Sequence, residues 1–253
     1  MSKKEYNQGV ITVGGCGTSV LHDVVDMVNP AGYPHFLLFG GNTDAADLSD
    51  KFEEPGKDGN VDEKLDAWGN NITLVQFGDD KTTQGFGAGG DPEVGREAAG
   101  TEQSREYMRK FIEKCDGVIL VGAVGGGTGT YALSVAADIC LELKIHTVLA
   151  IVVTPFEREG RTKEAIEGRE ELRQKVPIIC IENDHLEQYV SDLTNEEAEK
   201  VKGGFLASRR MINKLSIVPM LKILREIIQV PGDAKNLDPN DYRALLKVGR
   251  YVA

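Results

Sequence analysis

Six short runs, apolar or β-branched at nearly every position, recur along the chain with helix-patterned segments between them. They are Gly9 to Val13, His35 to Phe39, Ile72 to Gln76, Gly117 to Val121, Thr147 to Val153 and Pro177 to Ile181. A strand that is apolar throughout, rather than at alternate positions, is covered on both faces. The segments between them have helical spacing: Glu93 to Lys114 is rich in Glu, Arg and Ala, and Thr128 to Leu143 puts Val135, Ile139 and Leu143 on one stripe. Strands alternating with helices imply a parallel sheet with helices on both faces.

The C-terminal fifth breaks this alternation. From Phe205 to Ile228, Leu206, Met211, Ile212, Leu215, Val218, Leu221, Ile223, Leu224, Ile227 and Ile228 leave almost no polar face. The segment reads as a largely buried central helix, with Pro219 as the place for a kink. Pro231-Gly232 stops it, and Asp238-Pro239 has the form of an N-cap with proline at the first helical position before Asn240 to Val248. Asp50 to Asp66 is a charged, exposed loop by composition. The expectation is an α/β fold with a Rossmann-like, mostly parallel sheet over residues 1–204. Residues 205–253 would supply the central helix, a loop and a short terminal helix.

Charge and composition remove several functions. With 29 Lys plus Arg against 40 Asp plus Glu, the formal charge of -11 repels a phosphate backbone, and no basic block offsets it, so nucleic acid is not an expected partner. No apolar stretch approaches the roughly 20 residues that span a bilayer, and the N-terminus lacks the apolar core of a signal peptide, so a cytoplasmic location without membrane insertion is expected. Cys16, Cys115, Cys140 and Cys180 form no CxxC pair, which suggests neither a zinc site nor a disulfide framework. Only Cys16 lies in a glycine turn. The four histidines accompany no nucleophile or metal pattern, and no protein metal site is expected.

Three glycine-rich turns carry the chemistry. Gly14-Gly-Cys-Gly-Thr-Ser19 follows the first strand, Gly85-Phe-Gly-Ala-Gly-Gly90 precedes Asp91-Pro-Glu93, and Gly125-Gly-Gly-Thr-Gly-Thr130 opens a helix. Glycines at such places let backbone N–H groups converge on an anion, and the following helix adds the positive end of its dipole. Ser19, Thr128 and Thr130 could add hydroxyl donors. One such turn is usually a tight connection, but three at the carboxyl ends of strands point to a nucleotide site. The P-loop pattern GxxxxGK[ST] is absent, which removes its phosphate-binding lysine. The dinucleotide fingerprint also fails, because Val20 stands where a third glycine should allow close helix packing. An oxidoreductase is disfavoured on that ground.

The motif Gly125 to Thr130 closely resembles the signature phosphate loop of the FtsZ and tubulin family of GTPases, and further matches follow in the family's order. Gly14, Gly15, Cys16, Gly17 and Ser19 occupy the first phosphate loop, in a form nearer to tubulin's cysteine-containing version. Asn42-Thr-Asp-Ala-Ala-Asp-Leu48 is similar to the loop after the second strand, which assigns Asn42 and Asp44 to the nucleotide. Gly87, Ala88, Gly89 and Gly90, in the run ending at Arg96, resemble a loop that senses the γ-phosphate. Pro155 to Arg161 resembles the sugar-binding loop, with Glu159 on the ribose, and Asn183 falls where the family places an asparagine on guanine. Asn236-Leu-Asp-Pro-Asn-Asp241 is similar to the catalytic loop.

The resemblance implies a cytoskeletal enzyme that binds GTP or GDP with Mg²⁺. Gly125, Gly126, Gly127, Thr128, Gly129 and Thr130 would cradle the phosphates. Asp238 and Asp241 of the next subunit, with Asn236 upstream, would complete the site in a head-to-tail filament of the chain itself or with a related filament protein. Taken without the resemblance, Asp238 is an N-cap and Asp241 favours the helix dipole. Tyr131 stands where FtsZ has glycine and is expected to crowd the helix start without removing the cradle, and Lys163 replaces an arginine expected near the γ-phosphate. The second guanine contact depends on alignment: counting from Phe205 gives Arg210, whereas counting back from Pro231 gives the preferred Asn213. Relatives continue into a second α/β domain beyond the end of this sequence, so weaker assembly with retained nucleotide binding is expected. The alternative is a nucleotide-binding regulator that docks on a filament or other partner without polymerising.

Overall fold

The computed structural model describes residues 6–24, 36–49, 72–191 and 205–229, together with Asp241, Ala244 and Leu246. The six strands are β1 (Gln8–Val13), β2 (Phe36–Asn42), β3 (Ile72–Gln76), β4 (Gly117–Ala123), β5 (Val148–Thr154) and β6 (Ile178–Glu182). They form one sheet in the order β3-β2-β1-β4-β5-β6, parallel at every pairing. The expected α/β class and parallel sheet are therefore present.

Side-chain alternation explains why the strands read as continuous apolar runs. Val10, Leu38, Ile119, Val121, Ile151 and Val153 belong to one core, while Ile11, Phe39, Leu120, Ala150 and Val152 belong to the other, on the opposite face. Full burial of each large side chain contributes about 1.5–3 kcal/mol, so both layers matter to stability. Strand β2 outlasts its apolar run by three residues, because Gly40 and Gly41 keep pairing with β3. A β-carbon on Gly41 would collide with the ring of Phe77, so glycine there makes room for the core.

The helices are α1 (Gly14–Val24), α2 (Ala45–Ser49), α3 (Pro92–Gly100), α4 (Glu102–Ile112), α5 (Gly127–Glu142), α6 (Thr162–Lys175), α7 (Asn183–Ser191) and α8 (Phe205–Gln229). The single helix expected over Glu93 to Lys114 is two, because Thr101 leaves helical geometry and its hydroxyl accepts from Ser104 N to start α4. Helix α3 starts on Asp91, whose carboxylate accepts from Glu93 N at 2.9 Å, with Pro92 at the first helical position.

Helix α8 runs through Pro219 without interruption. It packs against α1 through Ile217, Val218 and Leu221, which join the core containing Val20, Leu21 and Val24. Among its described side chains only one face is buried: Leu215 is 48% exposed and Ile223 59%. Over residues 212–224 the helix expected to be largely buried is thus covered along one stripe, since a helix resting on one layer buries one face. The charged loop expected at Asp50 to Asp66 lies outside the described residues.

Candidate functional site

Strand order dictates where a ligand can sit. From β1 the chain steps outward through β2 and β3, then returns to β4 on the other side of β1 and steps outward through β5 and β6. The crevice between the carboxyl ends of β1 and β4 is the switch point at which open α/β sheets bind ligands. Val13, Gly41 and Gly122 end level with one another in the register. Helices α1 and α5 begin immediately above, neither has an acidic residue in its first turn, and the Gly126 N-cap of α5 has no side-chain cap. Their leading N–H groups and dipoles are left for an anion.

A cavity of about 600 Å³ opens at this point. Gly14, Gly15, Cys16, Gly125, Gly126, Gly127, Thr128 and Gly129 line it where α1 and α5 begin, with Ser19 also on the wall. Gly125 has φ of 84°, a left-handed conformation that bends the chain away from β4 before α5 starts. Gly87, Ala88, Gly89 and Gly90 close one side, and Asn42, Thr43, Asp44 and Asp47 another. These two loops are fastened together: Asp44 and Phe86 form a bridge, and Ala45 N donates to Gly85 O at 3.2 Å. A hydroxyl pair, Thr43 Oγ1 and Thr128 Oγ1 at 2.5 Å, ties the same loop to α5.

The other end of the cavity is carried by β5, β6 and α8. Pro155 and Glu159 line it after β5, and the Glu159 carboxylate accepts from Phe156 N at 3.0 Å within a one-turn 3₁₀ helix. Asn183, the first residue of α7, is 4% exposed, and its Oδ1 has no hydrogen-bond donor. Such a buried acceptor without a partner costs about 1–3 kcal/mol, and on this wall it is open to a donor from the cavity. Asn213 of α8 is also buried on the wall, and its Nδ2 donates to Cys16 Sγ at 3.5 Å.

Most residues singled out in the sequence therefore meet on one cavity, but several do not line it. Gly17 lies behind the wall, where a β-carbon would come within 2.9 Å of the Thr12 backbone, so it serves close packing of α1 on β1. Thr130 is buried, with its hydroxyl donating to Gly126 O. Lys163 projects away, 82% exposed and 3.9 Å from Glu167. Arg161 stands on the wall instead, together with Thr43 and Asp47, none of which the motif matching had assigned to the nucleotide. Asp241 is helical and exposed, whereas Asn236 and Asp238 lie outside the described residues. Arg210 belongs to α8 by backbone alone.

Tyr131 does not crowd the start of α5. It is buried beneath the Arg96 guanidinium, 3.6 Å from its ring centroid, and Arg96 in turn forks onto Glu171 of α6 at 3.2 and 2.8 Å. Burial alone would raise the Glu171 carboxyl, but the hydrogen bonds from Arg96 and Lys175 bring it down to about 2. This cluster joins α3, α5 and α6 beside the cavity. Gly95 of α3 completes the contact, since a β-carbon there would strike the Gly127 carbonyl oxygen.

Among the described residues no group of three His, Cys, Asp or Glu side chains could hold a metal ion. None of the described helices is long and apolar enough to cross a membrane.

The family model for the Tubulin/FtsZ family, GTPase domain, matches residues 8–191. The chain is 33% identical over 243 residues to "Cell division protein FtsZ 1" of Thermococcus kodakarensis, covering 95% of this chain and 55% of the relative. It is 32% identical, with the same coverage, to the protein of that name from Pyrococcus furiosus. It thus spans about half the length of these curated relatives. Among solved structures, an empty FtsZ dimer from M. jannaschii matches with a TM-score of 0.73 and 27% identity, over 97% of this chain and 61% of that one. The GTPγS-bound protofilament of CetZ2 from Haloferax volcanii matches with a TM-score of 0.65 at 18% identity, over 90% of this chain and 60% of that one, and shows the shared fold.

Proposed function

The chain belongs to the tubulin/FtsZ family, and from that premise we propose that its cavity binds GTP and hydrolyses it when a neighbouring copy completes the site. The observation that carries this reading is the convergence of three glycine turns and three buried asparagines, Asn42, Asn183 and Asn213, on one cavity at the switch point of the sheet. Backbone N–H groups of Gly14 to Cys16, Gly87 to Gly90 and Gly125 to Gly129 hold the phosphates without a P-loop lysine. Glu159 takes the ribose. The unpartnered Oδ1 of Asn183 accepts from guanine, whose N1–H and 2-amino group are adjacent donors, whereas adenine offers an acceptor at N1. Asn213 supports the base from α8.

Mg²⁺ with most of its waters retained fits this wall, because a nucleotide-borne ion needs one or two protein oxygens rather than a cage. Asp44 and Asp47 would hold it, and it supplies neutralisation of charge on the phosphates when bound. Hydrolysis further requires a positioned water. In this reading, Asp238 and Asp241 of the next subunit, with Asn236 beside them, orient that water in a head-to-tail contact. Such a contact is heterologous and propagates as a filament in a cytoplasmic setting.

Equilibrium binding of GTP, GDP and ATP to the wild type and Asn183→Leu tests the base assignment. GTP affinity should fall about tenfold or more in the variant, from the 1–3 kcal/mol cost of an unpaired polar group, with weak ATP binding unchanged. Wild-type affinity for ATP equal to that for GTP would contradict the reading.

A further inference from the structure

The wall of the cavity carries three carboxylates, Asp44, Asp47 and Glu159, yet among the described residues Arg161 is its one basic side chain. In a chain of net charge -11, an anion entering this space meets that guanidinium alone as a full countercharge. No carboxylate among the described residues lies within ion-pair distance of Arg161, in contrast to Arg96, Arg105, Arg109, Arg158 and Arg173, each of which is paired.

Arg161 follows β5, but its side chain reaches across two other loops. Its Nη2 lies 3.6 Å from the position a β-carbon would take on Gly90, in the loop after β3, and its Nη1 4.0 Å from the equivalent position on Gly126, after β4. These loops also abut each other, with Gly90 N 3.2 Å from a β-carbon position on Gly127. Asn183 follows β6, at the opposite edge of the sheet from β3. A ligand whose base rests on Asn183 therefore extends toward the junction of Gly90 and Gly126, and its far end meets the Arg161 guanidinium.

We propose that Arg161 contacts the terminal phosphate and sets the preference of the cavity for triphosphate over diphosphate. This rests on the guanine-nucleotide reading above. Five fixed N–H donors suit a phosphate that bridges two glycine loops, and the contact gains from the absence of a competing carboxylate. Among the described residues lining the cavity, Arg161 is the one charged side chain that reaches the 87–90 and 125–127 loops from the start of α6. Filling that place with a phosphate oxygen draws the three together.

Dissociation constants for GTP and GDP, measured on wild type, Arg161→Ala, Arg161→Lys and Lys163→Ala, test the assignment. Arg161 is exposed, and a thermal melt confirms that each variant remains folded. GTP affinity should drop about tenfold or more in Arg161→Ala, the loss expected for a charge-assisted hydrogen bond, with a much smaller change for GDP. Arg161→Lys should recover part of the loss, because it restores charge without the fork. Equal losses for GTP and GDP, no loss, or a larger GTP loss in Lys163→Ala overturns the assignment while the guanine-nucleotide reading stands. A wild-type chain that binds neither nucleotide overturns both.

Discussion

Asn183 presents a buried acceptor without a donor, and Cys16 a half-buried thiol against the Asn213 amide, so both report on whether the cavity is filled. Cys115 and Cys140 are core residues by comparison: burial pushes the Cys115 thiol up to about 12 and Cys140 higher still. Alkylation with iodoacetamide at neutral pH should therefore modify Cys16 and spare Cys115 and Cys140, and GTP should slow the modification at Cys16. Peptide mass mapping reads the result, and labelling of Cys140 ahead of Cys16 in the folded protein would contradict this account. The backbone positions of these residues were legible in the sequence because glycine turns and strand ends fix them. The direction of Arg161 was not. It precedes the first residue of α6 with non-helical φ and ψ of -114° and 20°, so its side chain leaves before the radial pattern of the helix begins. Lys163, one residue inside α6, follows that pattern toward Glu167 four positions on.

The elements around the cavity are held by polar contacts as well as by apolar ones. Arg96 of α3 covers Tyr131 of α5 and grips Glu171 of α6, while Lys175 bridges Glu171 and Asp138 at 3.1 and 2.9 Å. A tyrosine at this place in α5 had suggested crowding from sequence alone, because no sequence pattern shows that a cation from another helix roofs the ring. Since the folded-state pKa of Glu171 is depressed, its contribution is complete above the unfolded value of about 4.3 and is lost as pH falls toward about 2. The stability difference between wild type and Glu171→Gln, from urea unfolding, should stay constant between neutral pH and about 5, then shrink below about 4. A difference that persists unchanged to pH 2 would show that the carboxylate charge is not what joins these helices. The division of one expected helix into α3 and α4 has a similar origin: Thr101 competes with the helix through its own hydroxyl, a choice that average helical spacing does not reveal.

At the scale of the molecule, strand positions were legible because the strands are apolar or β-branched at nearly every position, and the glycine turns lay at their ends. Strand order was not legible, because periodicity marks where a strand lies and not which strand pairs beside it. The covered extent of α8 was not legible, because composition counts apolar residues without knowing how many layers will meet them. Leu215 and Ile223 remain exposed on the face away from α1. Asp241 is exposed as well.

Phosphate release per subunit, followed as protein concentration rises, tests the assembly-coupled mechanism most directly when wild type is run beside Asp241→Ala. The rate per subunit should climb steeply with concentration in the wild type and stay low in the variant, while both bind GTP with the same affinity. A rate that is flat across concentrations, or one that Asp241→Ala leaves unchanged, would contradict hydrolysis completed by a neighbouring copy.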